Sequence, residues 1–224
     1  MDVATRLADV HDGIAAAARA SGRDPREITL VAVSKRKPAA MIRAAYAAGQ
    51  RDFGENYAQE LRDKARELED LDALRWHFIG PFQSNKARLL VGRATLLHSV
   101  SEQRHLEAVA ARAQSIGVEQ RVLVQLNLSG ESTKHGVAGA TLAALLRASE
   151  TLEGVRIEGL MTMPPADDDD VTARCFAELR VLRDAHGGVQ RLPQLSMGMS
   201  HDYALAIAHG STCVRVGTAI FGSR

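Results

Sequence analysis

Residues 28–38 read ITLVAVSKRKP, an apolar and β-branched run from Ile28 to Val33 that ends in a serine and a lysine. A run of this length and composition is a buried strand, and Pro38 suits the first turn of a following helix. The amine of Lys35 then stands at the carboxyl end of a buried strand. Most such lysines simply reach solvent along their methylene stems. The alternative is that Lys35 serves a site at the strand end, and the rest of the chain bears on that choice.

Beyond this stretch, strand-like runs recur at 52–55, 76–80, 95–100, 122–128, 155–163, 193–198 and 213–222. Helical patterns lie between them, such as 39–48 closed by Gly49, 106–116 closed by Gly117, and one placing Cys175, Leu179 and Leu182 on one face. Eight strands alternating with seven helices call for parallel pairing through helical crossovers. The expected fold is α/β, a single (β/α)8 TIM barrel over residues 1–224. The segment after the last strand is too short for a normal eighth helix. An extra N-terminal helix over 1–20, with Val3, Leu7, Val10 and Ile14 on one face, is expected to cover that gap. An open doubly wound sheet is the competing architecture, but no GxGxxG follows the first strand.

Composition narrows the classes of function. Of 224 residues, 46% are hydrophobic and 25% charged, with a net charge of +1, so no electrostatic pull toward nucleic acid follows. The opening segment carries charges throughout, and no run approaches a membrane span, so neither a leader nor a membrane association is expected. Cys175 and Cys213 lack CxxC spacing and are read as buried, reduced thiols of a cytoplasmic protein. The eight histidines show no metal-ligand spacing, and no metal site is expected. The carboxylates of 167–170 suit a solvated helix start.

In a barrel the site lies at the carboxyl ends of the strands. Those ends present Lys35, Asn56, His77, Met163, the stretch SMGMSHD (residues 196–202), and Arg215 with Gly217 and Thr218. Strand parity puts Lys35 on a face with Val31 and Val33, and Arg215 on a face with Cys213 and Gly217. If both faces point inward, an amine and a guanidinium converge across the barrel closure. Ser200, before a helix, and Gly217–Thr218 occupy the place where barrels often bind phosphate. The simpler reading makes Ser200 an N-cap and Gly217 a bulge. An amine beside a phosphate site suggests a Schiff base with a phosphorylated carbonyl compound, either pyridoxal phosphate or a sugar phosphate. An aldolase of the usual Schiff-base type carries its lysine at the end of strand six, where this chain has Met163.

The segments LVAVSK, FGENY, HFIGPFQSNK, GLMTM, LSMGMS and VRVGTAIFG, in this order and spacing, resemble the pyridoxal phosphate homeostasis protein family over about residues 28–222. The resemblance implies a barrel like the N-terminal domain of alanine racemase, with pyridoxal 5′-phosphate (PLP) held as an aldimine on Lys35. It implies that Arg215 faces the pyridine nitrogen and that Ser200, Gly217 and Thr218 hold the phosphate. It further implies that Asn56, His77, Met163 and Ser196 line the pocket, and that the loop GESTKHG brings Lys134 near the mouth.

The implied role is vitamin B6 balance without robust catalysis, through buffering of PLP or its delivery to PLP-dependent apoenzymes. An arginine at the pyridine nitrogen disfavours ring protonation and weakens the electron sink. A racemase also needs a second acid/base group on the opposite face of its substrate. Tyr57, His77, Lys134 and Tyr203 are the groups that could supply one, and Tyr46 lies in a helical pattern away from any strand end. A slow amino-acid racemase or lyase is therefore the alternative function. No large apolar helical face is left over once the barrel is wrapped, so a monomer is expected.

Overall fold

The apolar runs form eight parallel strands that close in sequence order into a barrel. The computed structural model describes residues 2–130, 135–165 and 168–222. The strands are β1 (Thr29–Val33), β2 (Asp52–Glu55), β3 (Arg75–Phe78), β4 (Ala94–Val100), β5 (Gln120–Leu126), β6 (Val155–Thr162), β7 (Gln194–Ser196) and β8 (Cys213–Val216). Among the described residues the helices are α1 (Val3–Ala20), α2 (Ala39–Ala47), α3 (Ala58–Glu67), α4 (Ala87–Leu90), α5 (Gln103–Ser115), α6 (Leu142–Ser149), α7 (Asp169–Ala185), α8 (Gly188–Arg191), α9 (Tyr203–Ala208) and α10 (Thr218–Phe221). No described helix is long and apolar enough to cross a membrane.

Strand alternation divides the apolar residues between two cores. Outward-facing Leu30, Ala32, Phe53, Leu97, Val124 and Val214 pack under the helices. Leu96, Leu123 and Met161 fill the barrel interior, with Met163 above them. At Gly54 a Cβ would stand 2.9 Å from Val31 and 3.2 Å from Ile79, so the glycine leaves room for its neighbours inside the barrel.

The expected strand over 213–222 stops at Val216. Gly217 adopts φ −119°, ψ −69° and turns the chain into α10. The apolar pair Ile220 and Phe221 belongs to this single helical turn and is buried. Helix α1 packs on α2, α9 and α10, burying Leu7, Val10, Ile14 and Ala18, and so fills the gap beside the one-turn helix. Asp168 caps α7 by accepting from the Val171 N–H at 2.9 Å, with Asp169 and Asp170 in the first turn. Both cysteines are buried, and no disulfide joins them.

At the amino ends of β2 and β3, Asp52 accepts from Arg75 at 2.6 and 2.8 Å and pairs with His77 at 2.9 Å. Burial alone would raise this carboxyl, but hydrogen bonds from His77 and Arg75 outweigh it and hold it at about 2, below its ordinary 3.8. A depressed carboxyl contributes stability that is complete above its unfolded pKa and lost as pH falls through the folded one. Stability should therefore fall between about pH 4 and pH 2 by roughly 2 kcal/mol on this account. Asp52→Asn should flatten that part of the curve, read from urea midpoints across the acid range.

Candidate functional site

The site grows from the register that closes the barrel. Val31 of β1 lies beside Arg215 of β8, in the ladder that also pairs Thr29 with Cys213. Lys35 and Gly217 follow at the carboxyl ends of these two strands. Together with Asn56, Ile79, Met163, Ser200 and Thr218 they line one cavity of about 270 Å³, and Arg215 closes its inner side.

Each polar group there is held by its own local structure. Arg215 is only 3% exposed, yet its Nη1 donates to Ser196 Oγ at 2.6 Å and its Nη2 to the Thr162 carbonyl at 3.1 Å. Burial lowers its pKa from the ordinary arginine range, but a guanidinium remains a cation and a pure donor. The Met199–Asp202 turn is drawn tight by the Met199 N–H, which donates to Asp202 Oδ1 at 2.5 Å. That turn carries Ser200 into the cavity. Gly217 approaches Val33 so closely that a Cβ would stand 3.2 Å from its carbonyl oxygen.

Lys35 is fixed by its neighbours on both sides. Ser34 Oγ donates to Glu55 Oε1 at 2.7 Å, and Lys64 Nζ donates to the Ser34 carbonyl at 2.7 Å. The same ammonium donates to Glu55 Oε1 at 2.7 Å and to Glu60 Oε1 at 2.8 Å. Arg36 takes the left-handed φ of 59°, and its N–H donates to Glu60 Oε1 at 2.6 Å. For a non-glycine residue that conformation is strained, and here the surrounding bonds hold it. Burial pushes the Glu55 carboxyl up, against the hydrogen bonds from Lys64 and Ser34 that pull it down.

Seven of the nine residues expected at the site meet at this cavity: Lys35, Asn56, Met163, Ser200, Arg215, Gly217 and Thr218. The other two do not line it. His77 lies one inward position earlier on β3 than Ile79, which takes the place at the cavity wall. It borders instead a separate cavity of about 170 Å³ at the amino ends of the strands, with Thr29, Asp52 and Arg75. Ser196 is fully buried behind Arg215. Lys134 lies outside the described residues. Val33, Ile79, Met199 and His201 also line the cavity. Parity could have found the first two, and the turn stretch 196–202 contains the others.

The two helix-entry tyrosines turn elsewhere. The Tyr57 hydroxyl accepts from Arg36 at 2.9 Å, with the guanidinium 5.4 Å from its ring centroid. The Tyr203 hydroxyl packs on α1, where a Cβ on Gly13 would stand 2.3 Å from it.

What the cavity offers a ligand follows from these groups. Asn56 Oδ1 is buried and has no hydrogen-bond partner among the described residues, so it can accept from a bound molecule. Ser200, Thr218 and the close-set Gly217 suit an anionic group, Arg215 a ring acceptor and Lys35 a carbonyl. This donor set fits a phosphorylated aldehyde carrying a ring nitrogen.

Residues 12–224 match the family profile described as alanine racemase, N-terminal domain. The chain is 45% identical over 229 residues to the pyridoxal phosphate homeostasis protein of Escherichia coli K12, covering 100% of this chain and 97% of that protein. The protein of the same name from Aquifex aeolicus is 40% identical over 230 residues, covering 100% and 99%. Among solved structures, PipY of Synechococcus elongatus with PLP bound aligns with a TM-score of 0.87 and 40% identity, covering 99% of this chain and 100% of that one. Alanine racemase from Streptomyces coelicolor shares the fold, with a TM-score of 0.74, 23% identity and 59% of its own length covered.

The knot behind Lys35 can be tested by itself. Lys64→Met leaves Glu55 buried without its cation and should destabilise the protein by about 3–5 kcal/mol in urea unfolding. Adding Glu55→Gln should recover more than half of that loss.

Proposed function

Since the chain belongs to the pyridoxal phosphate homeostasis protein family, built on the alanine racemase N-terminal domain, we propose that its strand-end cavity holds PLP reversibly. The observation that carries this reading is the convergence of Lys35 and Arg215 on one cavity that also presents Ser200, Gly217 and Thr218. When bound, PLP supplies an aldehyde that condenses reversibly with a primary amine.

The protein's own residues have distinct parts. Lys35 offers the primary amine, at the cavity wall across from Arg215. Arg215 presents a permanent positive charge at the cavity wall, which would disfavour protonation of a ring nitrogen held beside it. Ser200 and Thr218 offer hydroxyl groups to the phosphate, and Gly217 lets its backbone N–H approach closely. Asn56 Oδ1 would accept a hydrogen bond from a donor on the bound molecule. Val33, Ile79 and Met163 exclude water from one side.

We propose binding rather than robust turnover, by one unit formed from residues 1–224. Of the candidate opposing bases, Tyr57, Tyr203 and His77 do not line the cavity; the imidazole at its wall, His201, is exposed and lies 3.6 Å from Asp202 Oδ2. A reactive aldehyde held on Lys35 is kept from stray amines, which suits a cytoplasmic buffer of PLP or a donor to PLP-dependent apoenzymes. Removal of the protein from cells should then change free PLP or the loading of those apoenzymes.

The direct test is absorbance of the purified protein titrated with PLP. Wild type should develop a visible band, and Lys35→Ala should lack it. A wild type without the band, even with excess PLP, would return Lys35 to the role of an ordinary surface amine.

A further inference from the structure

Beneath the cavity, a line of buried polar side chains crosses the barrel interior, and the reading above uses only its upper end. Arg215 Nη1 donates to Ser196 Oγ at 2.6 Å, and Ser196 Oγ stands 2.8 Å from His98 Nδ1. His98 Nε2 lies 2.9 Å from His77 Nδ1, and His77 Nε2 lies 2.9 Å from Asp52 Oδ1. Ser196 and His98 are fully buried, and His77 and Asp52 are buried as well. The two imidazole rings meet edge to face, their centroids 5.2 Å apart.

The two ends fix the direction of the bonds between. Arginine can only donate and a carboxylate can only accept. Ser196 accepts from Arg215, so its own O–H is free to donate to His98 Nδ1. That nitrogen is then an acceptor, which leaves the ring hydrogen of neutral His98 on Nε2. His98 donates from there to His77 Nδ1, and His77 donates from Nε2 to Asp52. Every link is satisfied in this order. In the opposite order Ser196 would receive hydrogens from both Arg215 and His98, and its own hydrogen would lose the imidazole acceptor. Cys213 also lies beside Ser196, and burial pushes its thiol up to about 11, so it stays protonated and competes only weakly as an acceptor. Burial likewise keeps His98 neutral, aided by the charge of Arg215.

We propose that Ser196, His98, His77 and Asp52 are positioning residues for Arg215, joined in a one-way hydrogen-bond relay that keeps both histidines in the neutral Nε2–H form. The relay holds the guanidinium in one orientation at the cavity floor and runs to the amino-terminal mouth, where Arg75 clamps Asp52. It rests on the PLP reading only for what Arg215 is positioned to meet.

The first test needs no cofactor. Long-range 15N–1H spectra of the cofactor-free protein at neutral pH should show protonated Nε2 and bare Nδ1 in both His77 and His98. A hydrogen on Nδ1 of either ring, or a doubly protonated ring, would overturn the relay. The second test uses PLP. His98→Gln keeps an acceptor for Ser196 and a donor for His77, whereas His98→Leu keeps neither. The leucine variant should bind PLP at least about tenfold more weakly, with a shifted visible band. The glutamine variant should stay within about threefold of wild type. Wild-type affinity and spectrum in the leucine variant would refute the proposal. So would a glutamine variant that melts like wild type yet binds as poorly as the leucine variant. Should the leucine variant not fold, Ser196→Ala carries the same comparison. Failure of wild type itself to give a band would refute the PLP reading and leave the tautomer result standing.

Discussion

The parallel ladder between β1 and β8 sets Val31 against Arg215 and closes the barrel. A closed barrel has no free strand edges, so this register is not free to slip: a shift by one residue would turn Arg215 outward into the helical layer. The same pairing brings the first and last strand ends to one mouth. It is why an amine early in the chain and a cation near its end can face one cavity of about 270 Å³. The inner apolar cluster of Leu96, Leu123 and Met161 shares the barrel interior with buried polar groups such as His77, His98 and Arg215.

Two polar constructions then support the two principal groups, and both run behind the cavity. Behind Lys35, the Lys64 ammonium ties together Ser34, Glu55 and Glu60 across β1, β2 and α3. Behind Arg215, Ser196 and the Thr162 carbonyl accept its terminal hydrogens. Neither construction lines the cavity. Each replaces the freedom of a long side chain or loop by hydrogen bonds already made, which lowers the entropy lost when a ligand arrives.

Much of this was legible in the sequence. Alternating strand and helix patterns indicate the barrel, and inward parity on two strands brings Lys35 and Arg215 together. Depth within the barrel was not legible. His77 and Ile79 share a parity, but only the three-dimensional stagger of tilted strands decides which reaches the mouth. Ser196 has the same difficulty, because its hydroxyl points sideways beneath Arg215. His98 sits on an apolar strand as one polar residue among Leu96, Leu97 and Val100. Its importance comes from partners on β3 and β7, which no local pattern records. Lys64 looks like one more charge on a strongly charged helix until the fold brings it under Ser34. The end of β8 is hard to read because VRVGTAIFG continues with strand-like apolar residues past Val216, and Gly217 alone marks the change of conformation.

The seating of α1 against α9 and α10 has a consequence for biogenesis. Helix α1 leaves the ribosome long before α9 and α10, the segments it packs against. Until α9 and α10 arrive, the stripe of Leu7, Val10, Ile14 and Ala18 lacks much of its cover, and β1 has no β8 to pair with. The contacts that complete the ring join segments far apart in the sequence, a topology that folds slowly and only once β8, α9 and α10 have been made. A nascent chain of this protein therefore carries the apolar stripe of α1 exposed until the segments that cover it have been made.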